Sequence, residues 1–173
     1  MKQQAKRGRT ATGRQNAKEA AKDIALSPRE ELSNKLFFRL FQTENVYQTA
    51  ALRELGISAV QGATLGALYR DPENGMSFSA LYDYLAVSRQ NMDAVLKRLE
   101  RAGLAERIED KTDRRSRIVR LTPDGIAAWR DLHLRTIEFF RQGTANVSMA
   151  QISACIDVLA NISRGLKAAR TKY

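Results

Sequence analysis

The sequence predicts a mainly α-helical fold that carries one small β-hairpin. Apolar residues recur at helical spacing through most of the 173 residues, and they alternate in two short stretches, 104–108 and 117–121. Serine or threonine precedes each helical stretch, and glycine follows several of them, as expected for helix caps. With 43% hydrophobic residues, the chain is long enough to bury the core of one domain.

These cap signals divide the chain into six helices. The first and the last two are long, whereas the three between them are short. The hairpin falls between the fourth and fifth helices, and its charged loop runs from Glu109 to Ser116. The predicted helices cover about residues 28–55, 59–70, 78–85, 89–102, 123–146 and 149–166.

Positive charge is concentrated in two parts of a chain whose net charge is +10. Residues 1–26 contain seven basic and two acidic side chains, and residues 86–120 contain ten basic and six acidic ones. Such clusters favour a polyanionic partner, because neutralised phosphates release their counterions. The alternative interpretation is a solubilising surface.

The first cluster lies in a segment without a large apolar residue before Ile24, so residues 1–26 are predicted to form a disordered basic arm. Residues 27–173 then form a single domain. Basic residues of the arm, such as Arg7, Arg9 and Arg14, are expected either to contact DNA or only to increase solubility.

The second cluster coincides with two short helices followed by the hairpin, an order typical of a winged helix-turn-helix. The fourth helix begins with the polar run 88–91, SRQN, and its apolar face contains Met92, Val95, Leu96 and Leu99. A helix fits the major groove of DNA, where arginine pairs with guanine, and glutamine or asparagine with adenine. The alternative is that the polar run is only the solvent-exposed side of an amphipathic helix.

The hairpin loop strengthens the DNA-binding interpretation. It places Arg114, Arg115 and Arg117 on a projecting turn, where they are expected to reach a phosphate backbone or a narrow minor groove. Asp113 lies two residues before Arg115 and is expected to orient its guanidinium. A polar helix together with a basic wing is a stronger signal than either part alone.

Residues 81–125 resemble the multiple-antibiotic-resistance regulator (MarR) family of winged helix-turn-helix regulators. The specific part is the run 113–115, DRR, followed by the run 121–125, LTPDG. Upstream, the run 99–104, LERAGL, and Arg107 fit the same pattern, and the match extends over roughly residues 30–168. Ala86 departs from it, because members often carry glycine between the paired helices.

This resemblance implies a homodimer on a roughly palindromic operator. Residues 57–122 would form the DNA-binding lobe, and residues 27–56 and 123–170 the interlocking dimerisation helices. It also implies that the helix 88–98 enters the major groove and that Arg115, positioned by Asp113, enters the minor groove. The candidate DNA-binding residues are Ser77, Ser88, Arg89, Gln90, Asn91, Lys97, Arg98, Asp113, Arg114, Arg115 and Arg117.

Proteins of this family commonly bind small aromatic acids, phenols or related thioesters between the dimer helices and the DNA-binding lobe. The candidate residues for such an effector are Phe38, Arg39, Phe41, Asn45, Trp129 and His133. The alternative is that the aromatic residues belong to an ordinary core. The predicted function is thus a ligand-responsive transcriptional regulator, expected to be a repressor that the effector releases from DNA. The alternative is a ligand-independent, architectural DNA-binding protein.

Other classes of protein find little support in the sequence. With one histidine, one cysteine, no glycine-rich phosphate loop and no metal-ligand spacing, it predicts neither enzymatic activity nor a cofactor or metal site. Cys155 falls in the apolar stripe of the last helix and is expected to be buried rather than an oxidation sensor. No apolar run reaches the roughly 18 residues that cross a bilayer, and the first residues lack the apolar stretch of a secretory signal. The protein is predicted to be cytoplasmic, and nucleoid-associated when it is bound to DNA.

Overall fold

The computed structural model describes residues 26–110 and 116–170, which form six helices and three short strands. Described residues up to Thr49 belong to one compact unit, and those from Ala50 onwards to a second. The elements are α1 (Pro28–Leu55), α2 (Ala59–Tyr69), β1 (Met76–Ser77), α3 (Phe78–Tyr84), α4 (Arg89–Arg101), β2 (Ala105–Glu109), β3 (Arg117–Leu121), α5 (Pro123–Gly143) and α6 (Met149–Arg170).

The predicted helix starts are confirmed by their hydrogen bonds. At α1 the Ser27 amide donates to Glu30 Oε2 at 2.7 Å, and at α2 the Gln61 amide donates to Ser58 Oγ at 3.3 Å. Ser77, Ser88, Thr122 and Ser148 accept in the same way from the backbone at the starts of α3, α4, α5 and α6. The predicted ends at Gly56 and Gly103 are also confirmed, with φ of +72° and +70°.

The predicted hairpin is confirmed, but the sheet has a third strand that the sequence did not predict. The strand order is β1-β3-β2, all antiparallel, with Arg107 opposite Val119 and Met76 opposite the same residue on the other side. Gly75 makes this pairing possible, because its φ is +70° and a Cβ there would lie 2.3 Å from the Val119 carbonyl oxygen. Two paired residues are too short a strand to show alternation.

The core of the second unit lies between α2, α3, α4 and the sheet. The predicted inner face of α4 is confirmed, since Met92, Val95, Leu96 and Leu99 are all buried. Trp129 of α5 packs on this core and closes over Gly66 of α2, where a Cβ would lie 2.7 Å from the indole ring. The packing holds α4 by one side and leaves its other side exposed.

Two expectations about the long helices are wrong. Helix α5 ends at Gly143 rather than near Asn146, because residues 144–146 form a turn before the Ser148 cap. Cys155 is exposed rather than buried, since most of the apolar stripe of α6 is uncovered in the described chain. None of the described helices combines the length and apolar composition that crossing a membrane requires.

Candidate nucleic-acid interface

Helix α4 presents a polar edge at its N-terminus. Ser88, Arg89, Gln90 and Asn91 are all exposed, and the Asn91 amide donates to Ser88 Oγ at 3.2 Å, which fixes the start of the helix. Because the opposite face of α4 is buried in the core, the helix can present only this edge to a partner. The structure thus brings together four of the predicted DNA-binding residues.

The turn before α4 sets the angle at which this edge is presented. Ala86 has a φ of +54°, the left-handed region that glycine adopts more readily, and it is the one described non-glycine residue with positive φ. The Val87 amide donates to the Tyr82 carbonyl at 3.0 Å, so the reversal is held by α3 itself. The position where the family often carries glycine therefore has the conformation that glycine favours.

Phe78, at the start of α3, lies beneath two arginines. The guanidinium carbon of Arg89 is 5.9 Å from the centre of the ring, and that of Arg107, from β2, is 5.5 Å from it. A cleft of about 430 Å³ opens here between α4 and the wing. It is lined by Phe78, Arg89, Gln90, Asp93, Arg107 and Arg117.

Asp93 joins α4 to the wing through ion pairs. Its carboxylate lies 2.8 Å from Lys97 Nζ and 2.8 Å from Arg107 Nη1, and Arg107 Nε lies 3.1 Å from Glu100 Oε1. Hydrogen bonds from Lys97 and from Arg107 lower the pKa of Asp93 below its ordinary value. Lys97, which is predicted to contact DNA, is thus paired with a carboxylate of its own helix. Both Lys97 and Arg98 are exposed.

The wing strands are linked by two pairs of opposite charge. Arg117 Nη1 lies 2.8 Å from Glu109 Oε1, and Arg120 Nε lies 2.7 Å from Glu106 Oε1, each pair directly across the ladder. Arg117 is therefore the first residue of β3, next to the loop of the wing, rather than part of that loop. Asp113, Arg114 and Arg115 lie outside the described residues, as do residues 1–25 of the predicted arm.

Sequence reasoning missed the residues that join α4 to the wing. Asp93, Glu100 and Arg107 are separated by up to 14 positions, and their pairing depends on how β2 packs against α4. Phe78 was likewise not distinguished from other core aromatics. Ser77 has a structural role in the described chain, because its Oγ caps α3 and the residue itself is a half-buried member of β1.

The predicted effector residues fall in two groups, each within one unit. On α1, Phe38 and Phe41 are exposed, Arg39 Nη1 donates to Gln42 Oε1 at 3.2 Å, and Asn45 Nδ2 donates to the Phe41 carbonyl at 2.9 Å. On α5, the rings of Trp129 and His133 lie 5.3 Å apart.

Two clefts elsewhere in the second unit contain none of these six residues. One of about 370 Å³ lies beside α5 and is lined by Glu54, Leu55, Leu134, Arg135, Glu138, Phe139 and Gln142. The other, of about 830 Å³, lies between the helix-turn-helix and α6 and is lined by Tyr82, Asp83, Ala86, Val87, Ser88, Arg89, Leu166 and Lys167.

Comparison with known proteins finds transcriptional regulators among the relatives of this chain. The model of the MarR family matches residues 55–116, which include the helix-turn-helix and most of the wing. Over 116 residues the chain is 43% identical to the transcriptional activatory protein BadR of Rhodopseudomonas palustris. That match covers 65% of this chain and 66% of the relative, just under two thirds of its length.

Solved structures share the fold. The PcaV transcriptional regulator from Streptomyces coelicolor, in complex with its natural ligand, superposes with a TM-score of 0.67 at 22% identity, over 82% of this chain and 98% of that one. The MepR–DNA complex from S. aureus gives a TM-score of 0.59 at 23% identity, over 78% of this chain and 96% of that one.

The fold and the exposed edge of α4 define the class of protein: a DNA-binding protein of the winged helix-turn-helix type. Within that class, the chain is similar to the MarR family of transcriptional regulators, whose model matches residues 55–116.

Proposed function

We propose that the protein is a ligand-responsive regulator that binds a palindromic operator as a homodimer in the cytoplasm. The observation that carries this proposal is the division of α4 into a buried face and an exposed edge, Ser88 to Asn91, beside a β wing. This geometry suits insertion into the major groove, whose width of about 12 Å matches a helix. The similar fold of MepR in its DNA complex supports the proposal.

The proposed contacts divide by chemistry. Arg89 suits the acceptor atoms of guanine, and Gln90 and Asn91 suit adenine. Arg98 and Lys97, further along α4, are proposed to contact phosphates, which set the register without reading sequence. In the loop of the wing, Arg115 is proposed to enter the minor groove with Asp113 orienting it.

The proposed dimer rests on apolar side chains that the described chain leaves exposed. On α1, Phe41 is 62% exposed, and on α6, Ile156 is 61% exposed. Apolar residues at such density on long helices are typical of a surface that a partner covers. A second copy of the chain is the proposed partner, and its two-fold symmetry would require a roughly palindromic operator.

The direction of regulation has two candidates. Repression is the expectation from the sequence, because a dimer on its operator blocks the promoter it covers. Activation is favoured by the name of the 43% identical relative, a transcriptional activatory protein. A reporter gene under the chain's target promoter separates them, because deleting the regulator raises expression under repression and lowers it under activation.

The proposed effector is a small aromatic acid, a phenol or a related thioester. PcaV, which shares the fold, was solved with its natural ligand. We propose that Phe38, Arg39, Phe41, Asn45, Trp129 and His133 contribute to binding, and that the effector favours a conformer with altered spacing between the two reading helices. A thermal-shift screen of aromatic acids and their coenzyme A thioesters, followed by DNA release assays, tests this; an Arg39→Ala variant with unchanged ligand affinity would exclude Arg39.

The experiment for DNA recognition uses duplexes selected by the wild-type chain from a random pool of sequences. We expect a palindromic sequence to be enriched and to bind about 10³-fold or more tightly than a scrambled duplex at physiological salt. An architectural protein, the alternative function, would enrich no sequence. Arg115→Ala is expected to weaken binding to the selected duplex while leaving the dimer folded.

A further inference from the structure

The side chain of Arg107, in the wing, contacts residues two turns apart on α4, the proposed reading helix. It lies in the middle of β2, its side chain is 25% exposed, and its Nη1 and Nε reach Asp93 and Glu100 at 2.8 and 3.1 Å. Asp93 and Glu100 are seven residues apart, which places them on the same side of α4. One rigid guanidinium therefore holds the strand to Asp93 by a hydrogen bond and faces Glu100 as an ion pair, in which Nε makes no hydrogen bond.

The guanidinium of Arg107 also lies over the ring of Phe78, which Arg89 contacts as well. Phe78 has Arg107 at 5.5 Å and Arg89 at 5.9 Å from its ring centre. Arg89 is the first residue of α4 and is exposed, so the ring restricts a side chain that would otherwise sample many rotamers. The wing, the first helix of the pair and the start of the reading helix meet at this one cluster.

We infer that Arg107 is a positioning residue for DNA reading: it fixes α4 against the wing and, through Phe78, sets the orientation of Arg89. The inference rests on the proposed function, because it assigns a role within the proposed DNA interface. Its guanidinium faces two carboxylates of α4, so the residue acts on DNA through other side chains. Loss of Arg107 then lowers the preference for the operator more than it lowers general affinity for DNA.

The test compares Arg107→Ala with Arg120→Ala in the full chain. Arg120 is a matched control, because it is a wing arginine paired at 2.7 Å with Glu106 and thus links β3 only to β2. Affinities are measured for the duplex that wild-type protein selects from a random pool and for its scrambled version, over a range of salt concentrations. The melting temperature of each variant is measured alongside.

We expect Arg107→Ala to lose about tenfold to hundredfold in affinity for the selected duplex, as when a hydrogen bond to a charged group is removed. Its affinity for the scrambled duplex should change no more than that of Arg120→Ala, since both variants lose one positive charge. Arg107→Lys keeps the charge but not the planar fork, so it should also lose preference. The lysine variant keeps the test decisive if the alanine variant does not fold.

Three results would overturn the inference. If the ratio of the affinities for the selected and the scrambled duplex is unchanged in both Arg107 variants, then Arg107 does not orient α4. A fall of about one in the salt dependence of binding, specific to Arg107→Ala, would show a direct phosphate contact instead. If the wild-type chain selects no sequence, both the proposed function and this inference are wrong. The first two results contradict the inference alone.

Discussion

Single residues set the conformation of the helix-turn-helix. Ala86 takes a left-handed conformation with φ of +54°, and Asp93 accepts hydrogen bonds from both Lys97 and Arg107. Ala86 determines how α3 and α4 meet, and Asp93 determines how α4 meets the wing. Both are short side chains whose roles come from backbone angle and charge rather than from size.

Replacing Ala86 with glycine is expected to stabilise the protein. A left-handed conformation costs an alanine about 1–2 kcal/mol, and the greater freedom of glycine in the unfolded chain offsets about 0.4–1 kcal/mol of the gain. The free energy of unfolding, measured in urea, should thus rise by up to about 1.6 kcal/mol. Ala94→Gly, inside α4, is the control and should lose about 1 kcal/mol; an Ala86→Gly variant that loses as much would contradict the assigned conformation.

Asp93 is expected to titrate below the ordinary aspartate pKa of about 3.9. Hydrogen bonds from Lys97, first, and from Arg107 lower its pKa in the folded state, so the carboxylate adds stability above the unfolded pKa. That stability is lost as the pH falls through the folded pKa. Carboxyl NMR titration should show the pKa of Asp93 rising in both Lys97→Ala and Arg107→Ala; an ordinary pKa in the wild type would contradict the network.

Among the elements, the attachment of α5 to the wing depends on one close approach. Gly125, in the first turn of α5, is buried, and a Cβ there would lie 1.9 Å from the Leu104 carbonyl oxygen. The same carbonyl accepts a hydrogen bond from the Thr122 amide at 3.2 Å, so it has little freedom to move. A side chain at position 125 would separate the long helix from the start of β2.

Gly125→Ala is therefore expected to destabilise the protein by about 1–3 kcal/mol or more, as overpacking of a buried contact does. Gly143→Ala is the matched control, because Gly143 lies in the same helix with nothing within 4 Å of the added Cβ. That control should be neutral or gain up to about 1 kcal/mol from helix propensity. Equal unfolding free energies for the two variants, in urea titrations, would be inconsistent with the close approach.

The elements could be predicted from the sequence to the extent that their signals are local. Caps such as Ser58 and Ser88 and the terminating Gly103 mark helix boundaries within four residues, and the apolar face of α4 follows from its spacing. The strand β1 could not be predicted, since its two residues acquire their structure by pairing with β3. The contact of Arg107 with Asp93 is likewise a product of tertiary packing, which no local pattern encodes.

For the molecule as a whole, the proposed function depends on assembly of two copies. The apolar stripe of α6 includes Leu159, which is 37% exposed, and Leu166, which is 57% exposed in the described chain. Such a stripe is costly to leave in water, and the proposed second copy would cover it. The exposure of Cys155, on the same stripe, has the same explanation.

Leu159→Glu is expected to dissociate the proposed dimer without unfolding the chain, because the introduced charge would be desolvated at the interface but not in the monomer. Light scattering after gel filtration should give twice the chain mass of 19.4 kDa for the wild type and a monomer for the variant. Ser153→Glu, on the polar side of α6, is the control and should remain dimeric. A monomeric wild type would exclude the dimer.

The exposed edge of α4 is proposed to read DNA, and the affinity of Arg89→Ala for the duplex that wild-type protein selects tests this role. Loss of a bidentate contact to guanine should weaken binding by about 1–3 kcal/mol and relax the preference at one base pair of each half-site. Arg53→Ala, which removes an exposed arginine paired with its neighbour Glu54, should bind like the wild type. Wild-type affinity and preference in Arg89→Ala would contradict the claim.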